Sequence, residues 1–230
     1  MRRSAVTFVS AIAVTVLTIS CLSSCQQLFT TSLASGLART SISIPSNLSA
    51  SEAATLAAQA KANGDSKLAS ALVSSLVTEI GNTTDPATKA SLEASAAGAA
   101  ITASGVGSVF TSLSSTNLSN ITAASAQSLL TTIQAGATPN VLTALSYLTP
   151  TTGLTTASSG LSSTDYLMAA VVVAASIVPA GATLSSVNAA SLSTANPTQY
   201  ALAQGLLNQA STLAGGSNSL ISSLGSSFSI

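Results

Sequence analysis

Histidine and tryptophan are absent from this 230-residue chain, and charge is scarce: six basic and six acidic residues make up 5% of it and cancel. Without histidine, Ser-His-Asp and Cys-His catalytic arrangements are excluded, and so is the commonest transition-metal ligand. Three Tyr and four Phe are the only aromatics. A core must therefore come from many close contacts between small side chains rather than from a few large anchors. The two cysteines, Cys21 and Cys25, both lie near the N-terminus, so no disulfide framework staples the rest.

Other catalytic signatures are missing too. At the Ser-x-x-Lys spacing, Lys61, Lys67 and Lys89 are preceded by Ala58, Gly64 and Pro86. Gly105-Val106-Gly107 lacks the third glycine of a dinucleotide loop, and no Walker lysine follows a glycine cluster. Carboxylates are too sparse for a calcium loop, and Glu79, Asp85 and Glu93 are assigned to helix surfaces and caps. Asp165 is the sole charge from Ala94 to Ile230. It reads either as a lone functional acid or as a helix cap, and its place at a helix start favours capping. A non-enzymatic protein is expected, with no metal and no cofactor. Beyond the leader, basic residues are outnumbered by acidic ones, which leaves no footprint for nucleic acid.

What is present first is an address. Arg2 and Arg3 precede an uncharged, largely apolar run from Ala5 to Leu22, and Leu22-Ser23-Ser24-Cys25 ends it. These are the three parts of a secretory signal. The last four residues resemble the lipobox of bacterial lipoproteins. That resemblance implies cleavage between Ser24 and Cys25, lipidation of Cys25, and stable anchoring through more than one acyl chain. Thr18-Ile19-Ser20-Cys21 is a poorer match because it lacks the upstream Leu. An ordinary signal peptide and an uncleaved anchor stay open. By the lipoprotein sorting rule, Gln26 in place of Asp favours the outer membrane. The chain is thus divided into a signal peptide (1–24), a lipidated tether (25–48) holding a short helix over Leu28–Ala38, and one helical domain (49–230).

Helix signals recur through the domain. Ser49-x-x-Glu52 is a capping box ahead of an Ala/Leu run that ends at Asn63-Gly64. Asp65 caps a helix that aligns Leu68, Leu72, Leu76 and Ile80, stopped by Gly81-Asn82. Asp85-Pro86 opens a segment reaching Leu113, which Gly105 to Gly107 divides, and Ala94-x-x-x-Gly98 gives it a small face. Asn117 to Gly136 aligns Leu118, Ile121, Ser125, Leu129 and Ile133, and Thr138-Pro139 starts a short helix to Leu148. A polar loop over Thr149–Gly160 precedes Ser162-x-x-Asp165, a second capping box. The apolar run Leu167–Val178 is too short to span a bilayer and reads as a central buried helix. Asn196-Pro197 starts a last clear helix with Tyr200, Ala203, Leu207, Ala210 and Ala214 on one face, and a short terminal helix is expected after Gly216. Apolar spacings of three and four exclude a strand-based fold.

Helix starts at Ser51 and Asp85 lie 34 residues apart, as do Ser163 and Pro197. Residues Ala53–Gly81 weakly resemble a tetratricopeptide repeat. Leu56 and Ala57 stand at the Leu-Gly positions, Gly64-Asp65 at the turn and Ala69 at the small position. The aromatic positions instead hold Ala53, Ala60 and Val73. The expected class is all-α, an irregular helical bundle or a degenerate tetratricopeptide-like hairpin array.

Three functions compete. The first is a non-enzymatic cell-envelope lipoprotein, held to the membrane by lipid, whose helical domain binds a partner protein or is structural. The second is a periplasmic module for an apolar small molecule, accessory to a transporter, with Tyr147, Tyr166 and Tyr200 lining an apolar pocket; otherwise those rings belong to the core. The third is a eukaryotic secreted wall protein, suggested by N-x-Ser/Thr sequons at Asn47, Asn82, Asn117 and Asn120.

Overall fold

The structure is a computed structural model that describes residues 44–115, 123–148, 160–182 and 189–215. The chain divides into two units at Ile42 and Ser43, and every described residue belongs to the second. The described residues contain nine helices and no strand: α1 (Ala50–Asn63), α2 (Ser66–Asn82), α3 (Pro86–Ala103), α4 (Val106–Ser115), α5 (Ala123–Gly136), α6 (Pro139–Ser146), α7 (Ser163–Ile177), α8 (Ala189–Ala195) and α9 (Pro197–Leu213). The expectations that fall on 1–43, 116–122, 149–159 and 216–230, including Ser24, Cys25, Gln26, the Leu28–Ala38 helix and the terminal helix, lie outside the described residues.

Most helices begin where a short polar side chain can satisfy orphan amides. Ser49 Oγ accepts from the Glu52 amide while the Glu52 carboxylate accepts from the Ser49 amide, which completes the capping box. Asp65 caps α2, Asp85 with Pro86 starts α3, and Thr138 with Pro139 starts α6. Gly64 ends α1 at φ 61°, a left-handed conformation that a side chain resists. At Pro197 no side chain caps α9; proline itself, with no amide to satisfy, begins that helix.

Two helices form the centre. From Leu92 onward α3 is buried on nearly every side, through Ala96, Ala97, Ala99, Ala100 and Ile101. Because those side chains are small, α1, α2, α4, α6 and α7 all pack on it. In α1 the facing residues are Ala53, Ala57 and Ala60. Alanine against alanine lets helix axes approach toward the short end of the usual range of roughly 8–10 Å. The second centre is α7, apolar around its circumference and packed most extensively on α9, with α3, α4, α5 and α6 also in contact. Contacts such as α3 with α6, α2 with α6 and α7 with α9 join helices that are not chain neighbours. In a linear repeat array each unit touches only the next. The described residues therefore form an irregular bundle, in which α1 and α2 have the form of one helical hairpin.

Three local details differ from the sequence expectation. The domain starts before residue 49: Leu48 is buried and Ile44 packs against the core, with Asn47 turning the chain at φ 67°. Ser125 is exposed, because the buried stripe of α5 runs through Leu130 and Ile133. Helix α8 carries no strong start signal and was not expected; it forms where Leu192 packs with Ile177 and Tyr200 in a small second cluster.

Hydroxyls take the place of surface charge. Thr55, Ser74, Thr78, Ser91, Thr131 and Thr212 each donate to the carbonyl four residues earlier. Their polar atoms are thereby partly satisfied within the helix that carries them.

Candidate functional site

Among the described residues, the polar side chains buried inside the bundle are Glu93, Ser95, Ser104 and Asp165. The two serines are local. Ser95 Oγ donates to the Ser91 carbonyl at 2.9 Å. Ser104 Oγ donates to the Ile101 carbonyl at 2.7 Å and accepts from the Val106 amide, which stitches the break between α3 and α4 at Gly105.

Asp165 uses both carboxylate oxygens. Oδ2 accepts from the Ser162 amide (3.0 Å) and hydroxyl (2.8 Å), completing the second capping box. Oδ1 accepts from Lys61 Nζ of α1 at 2.8 Å, 104 residues away in sequence. Burial pushes the Asp165 carboxyl upward. The Lys61 ammonium and the Ser162 donors outweigh it and hold the group below its ordinary value of 3.8. The capping assignment for Asp165 is thus correct, and Lys61 is its unforeseen partner.

Glu93 was assigned to a helix surface, and that assignment is corrected: it is 5% exposed, on the central helix α3. Its charged neighbour is Lys89, one turn earlier, and its carboxylate also acts on Tyr147, which caps α6. Burial raises the Glu93 carboxyl above 4.5, against the opposing pull of Lys89. Burial, then the Glu93 charge, raises the Tyr147 phenol.

The three tyrosines do not converge. Tyr166 is 1% exposed in the main core at the start of α7, and Tyr147 packs on that core from α6. Tyr200 belongs to the second cluster at the far end of α7, beside Ile177, about 16 Å along the helix from Tyr166. Of the rings expected to line a pocket, Tyr147 and Tyr166 thus share the main core and Tyr200 lies in the second cluster. Of the sequons, Asn47 and Asn82 are exposed, while Asn117 and Asn120 lie outside the described residues. On the small face, Gly98 is met by Leu161, whose Cδ2 would lie 3.8 Å from a Cβ built there.

Among the described residues no group of three or more Cys, Asp or Glu could hold a metal ion, and no helix is long and apolar enough to cross a membrane. What the polar interior can do chemically is bind protons and hold helices, through Glu93 and Asp165. Compared with protein-family models, curated proteins and solved structures, the chain matches none.

Proposed function

We propose that the chain is a bacterial cell-envelope lipoprotein, cut before Cys25 and anchored there by lipid, that holds a non-enzymatic helical bundle at the membrane surface. The observation that carries this reading is the leader itself: Arg2-Arg3, the apolar run to Leu22, then Leu22-Ser23-Ser24-Cys25. A folded, all-helical core among the described residues is compatible with a domain carried behind such a leader. Gln26 favours the outer membrane. The bundle's role is to bind a partner protein or to serve as a structural element of the envelope.

Expression in a bacterial host with a labelled fatty acid, followed by intact mass of the purified product, tests the anchor. The expected product lacks residues 1–24 and carries acyl chains, and Cys25→Ser abolishes the label while Cys21→Ser does not. An unlabelled product that starts at Met1 would overturn the reading. Crosslinking in intact cells then tests the partner role, and recovery of no specific protein leaves only the structural one.

A further inference from the structure

The turn from α1 to α2 is made by Asn63-Gly64, and Asn63 is the one asparagine in the chain that glycine follows. An asparagine carboxamide is open to attack by the backbone nitrogen of the next residue, and glycine, with no Cβ, lets that nitrogen approach most closely. Both residues are exposed, and a Cβ at Gly64 would meet open space. What restrains the pair is the helix end. The Gly64 amide donates to the Ala60 and Lys61 carbonyls, and the Asp65 amide donates to the Ala60 carbonyl at 2.9 Å. In the same turn, Lys61 is fixed at 2.8 Å on the buried Asp165 of α7. We propose that Asn63 is a site of spontaneous deamidation guarded by the closed C-terminal turn of α1, and that it is modified when that turn opens.

In the reaction the Gly64 nitrogen loses its proton and bonds to the side-chain carbonyl carbon of Asn63, and Nδ2 leaves as ammonia. Water then opens the cyclic imide. Attack at the side-chain carbonyl gives aspartate, and attack at the main-chain carbonyl gives isoaspartate, whose backbone runs through the former side chain. Two features of the closed turn oppose the first step: the helical backbone at Asn63 and the commitment of the Gly64 amide to its acceptors. Local opening of the last turn of α1 removes both. The product places a carboxylate at the C-terminal end of α1, where the helix dipole disfavours negative charge, beside the Asp65 that caps α2. Isoaspartate also adds a backbone carbon between Ala60 and Asp65, which puts the hydrogen bond that closes the turn out of register. The modification thus records time spent open and weakens the turn that had guarded it.

The test incubates the purified full chain at neutral pH, folded and in guanidinium, and then digests it with trypsin. Cleavage after Lys61 and Lys67 isolates Asn63 on the peptide 62–67. Mass spectrometry of that peptide reads the exchange of amide for acid, and its fragmentation separates aspartate from isoaspartate. Deamidation should be at least about tenfold slower in the folded chain, the ratio expected where the closed turn is favoured by about 1.4 kcal/mol. Asp165→Asn releases Lys61 and keeps both cleavage sites. It should speed deamidation of the folded chain and leave the rate in guanidinium unchanged. Asn63→Asp, the aspartyl product made directly, should unfold at lower urea than the parent. Equal rates in the folded and unfolded parent, or no modification of Asn63 in guanidinium, would overturn the proposal. A folded Asp165→Asn chain that deamidates no faster than the parent would remove the helix end as the guard, and an unchanged urea midpoint for Asn63→Asp would refute the effect of the product.

Discussion

Replacing Lys61 with Met isolates the long-range ion pair seen among the described residues. Methionine keeps an unbranched stem along α1 and removes only the ammonium. Asp165 then retains Ser162 on Oδ2 but loses its donor on Oδ1, with 6% of its side chain open to water. Stranding a buried hydrogen-bonding group costs about 1–3 kcal/mol. The lysine end is 57% exposed, so solvent screens the attraction and water reaches the vacated oxygen, which places the expected loss near the lower end, about 1 kcal/mol. Asp165→Ala removes the pair and the cap of α7 together, and a lost N-cap alone costs about 0.5–2 kcal/mol. It should be the more damaging of the two. Urea unfolding followed by far-ultraviolet circular dichroism near neutral pH reads both. The Asp165 contribution is present above the unfolded carboxylate value of about 3.9 and is lost as pH falls through the lower folded value. Lys61→Met should therefore flatten the acid limb of the stability profile. Identical midpoints and identical acid limbs for Lys61→Met and the parent would refute the reasoning.

Glycine positions and a glutamine supply two further tests. A Cβ on Gly136 would sit against the Ser104 backbone, 2.7 Å from its Cα. Gly136→Ala should cost about 1–3 kcal/mol by overpacking, whereas Gly205→Ala in α9, with nothing within 4 Å, should gain about 0.5–1 kcal/mol; thermal unfolding of both variants reads the opposite signs. Gln134 Nε2 donates to the Ala175 and Val178 carbonyls at 3.1 and 2.9 Å. Gln134→Leu should destabilise the fold by about 1–3 kcal/mol and speed amide exchange at the C-terminal end of α7, as native-state hydrogen exchange would show.

Helix starts and stops were legible because they are local chemistry. Ser49 with Glu52, Asp65, Asp85 with Pro86, Thr138 with Pro139, and Ser162 with Asp165 each bond within three residues, so spacing alone reveals them. The face of Leu72, Leu76 and Ile80 was legible for a related reason: large apolar residues on a helical period must turn inward together. The address proposed at Cys25 is likewise read from the linear chain alone. Only the packed structure decided which side of an alanine-rich helix faces inward, since small residues populate every face and leave no contrast to read. That is why Glu93 looked like a surface residue and proved buried, and why Ser125 was placed on a face it does not occupy. The Lys61–Asp165 pair spans 104 residues, Tyr166 and Tyr200 fall into separate clusters, and α8 exists through the packing of Leu192. Each of these depends on which distant surfaces meet, and short-range spacing carries no record of that.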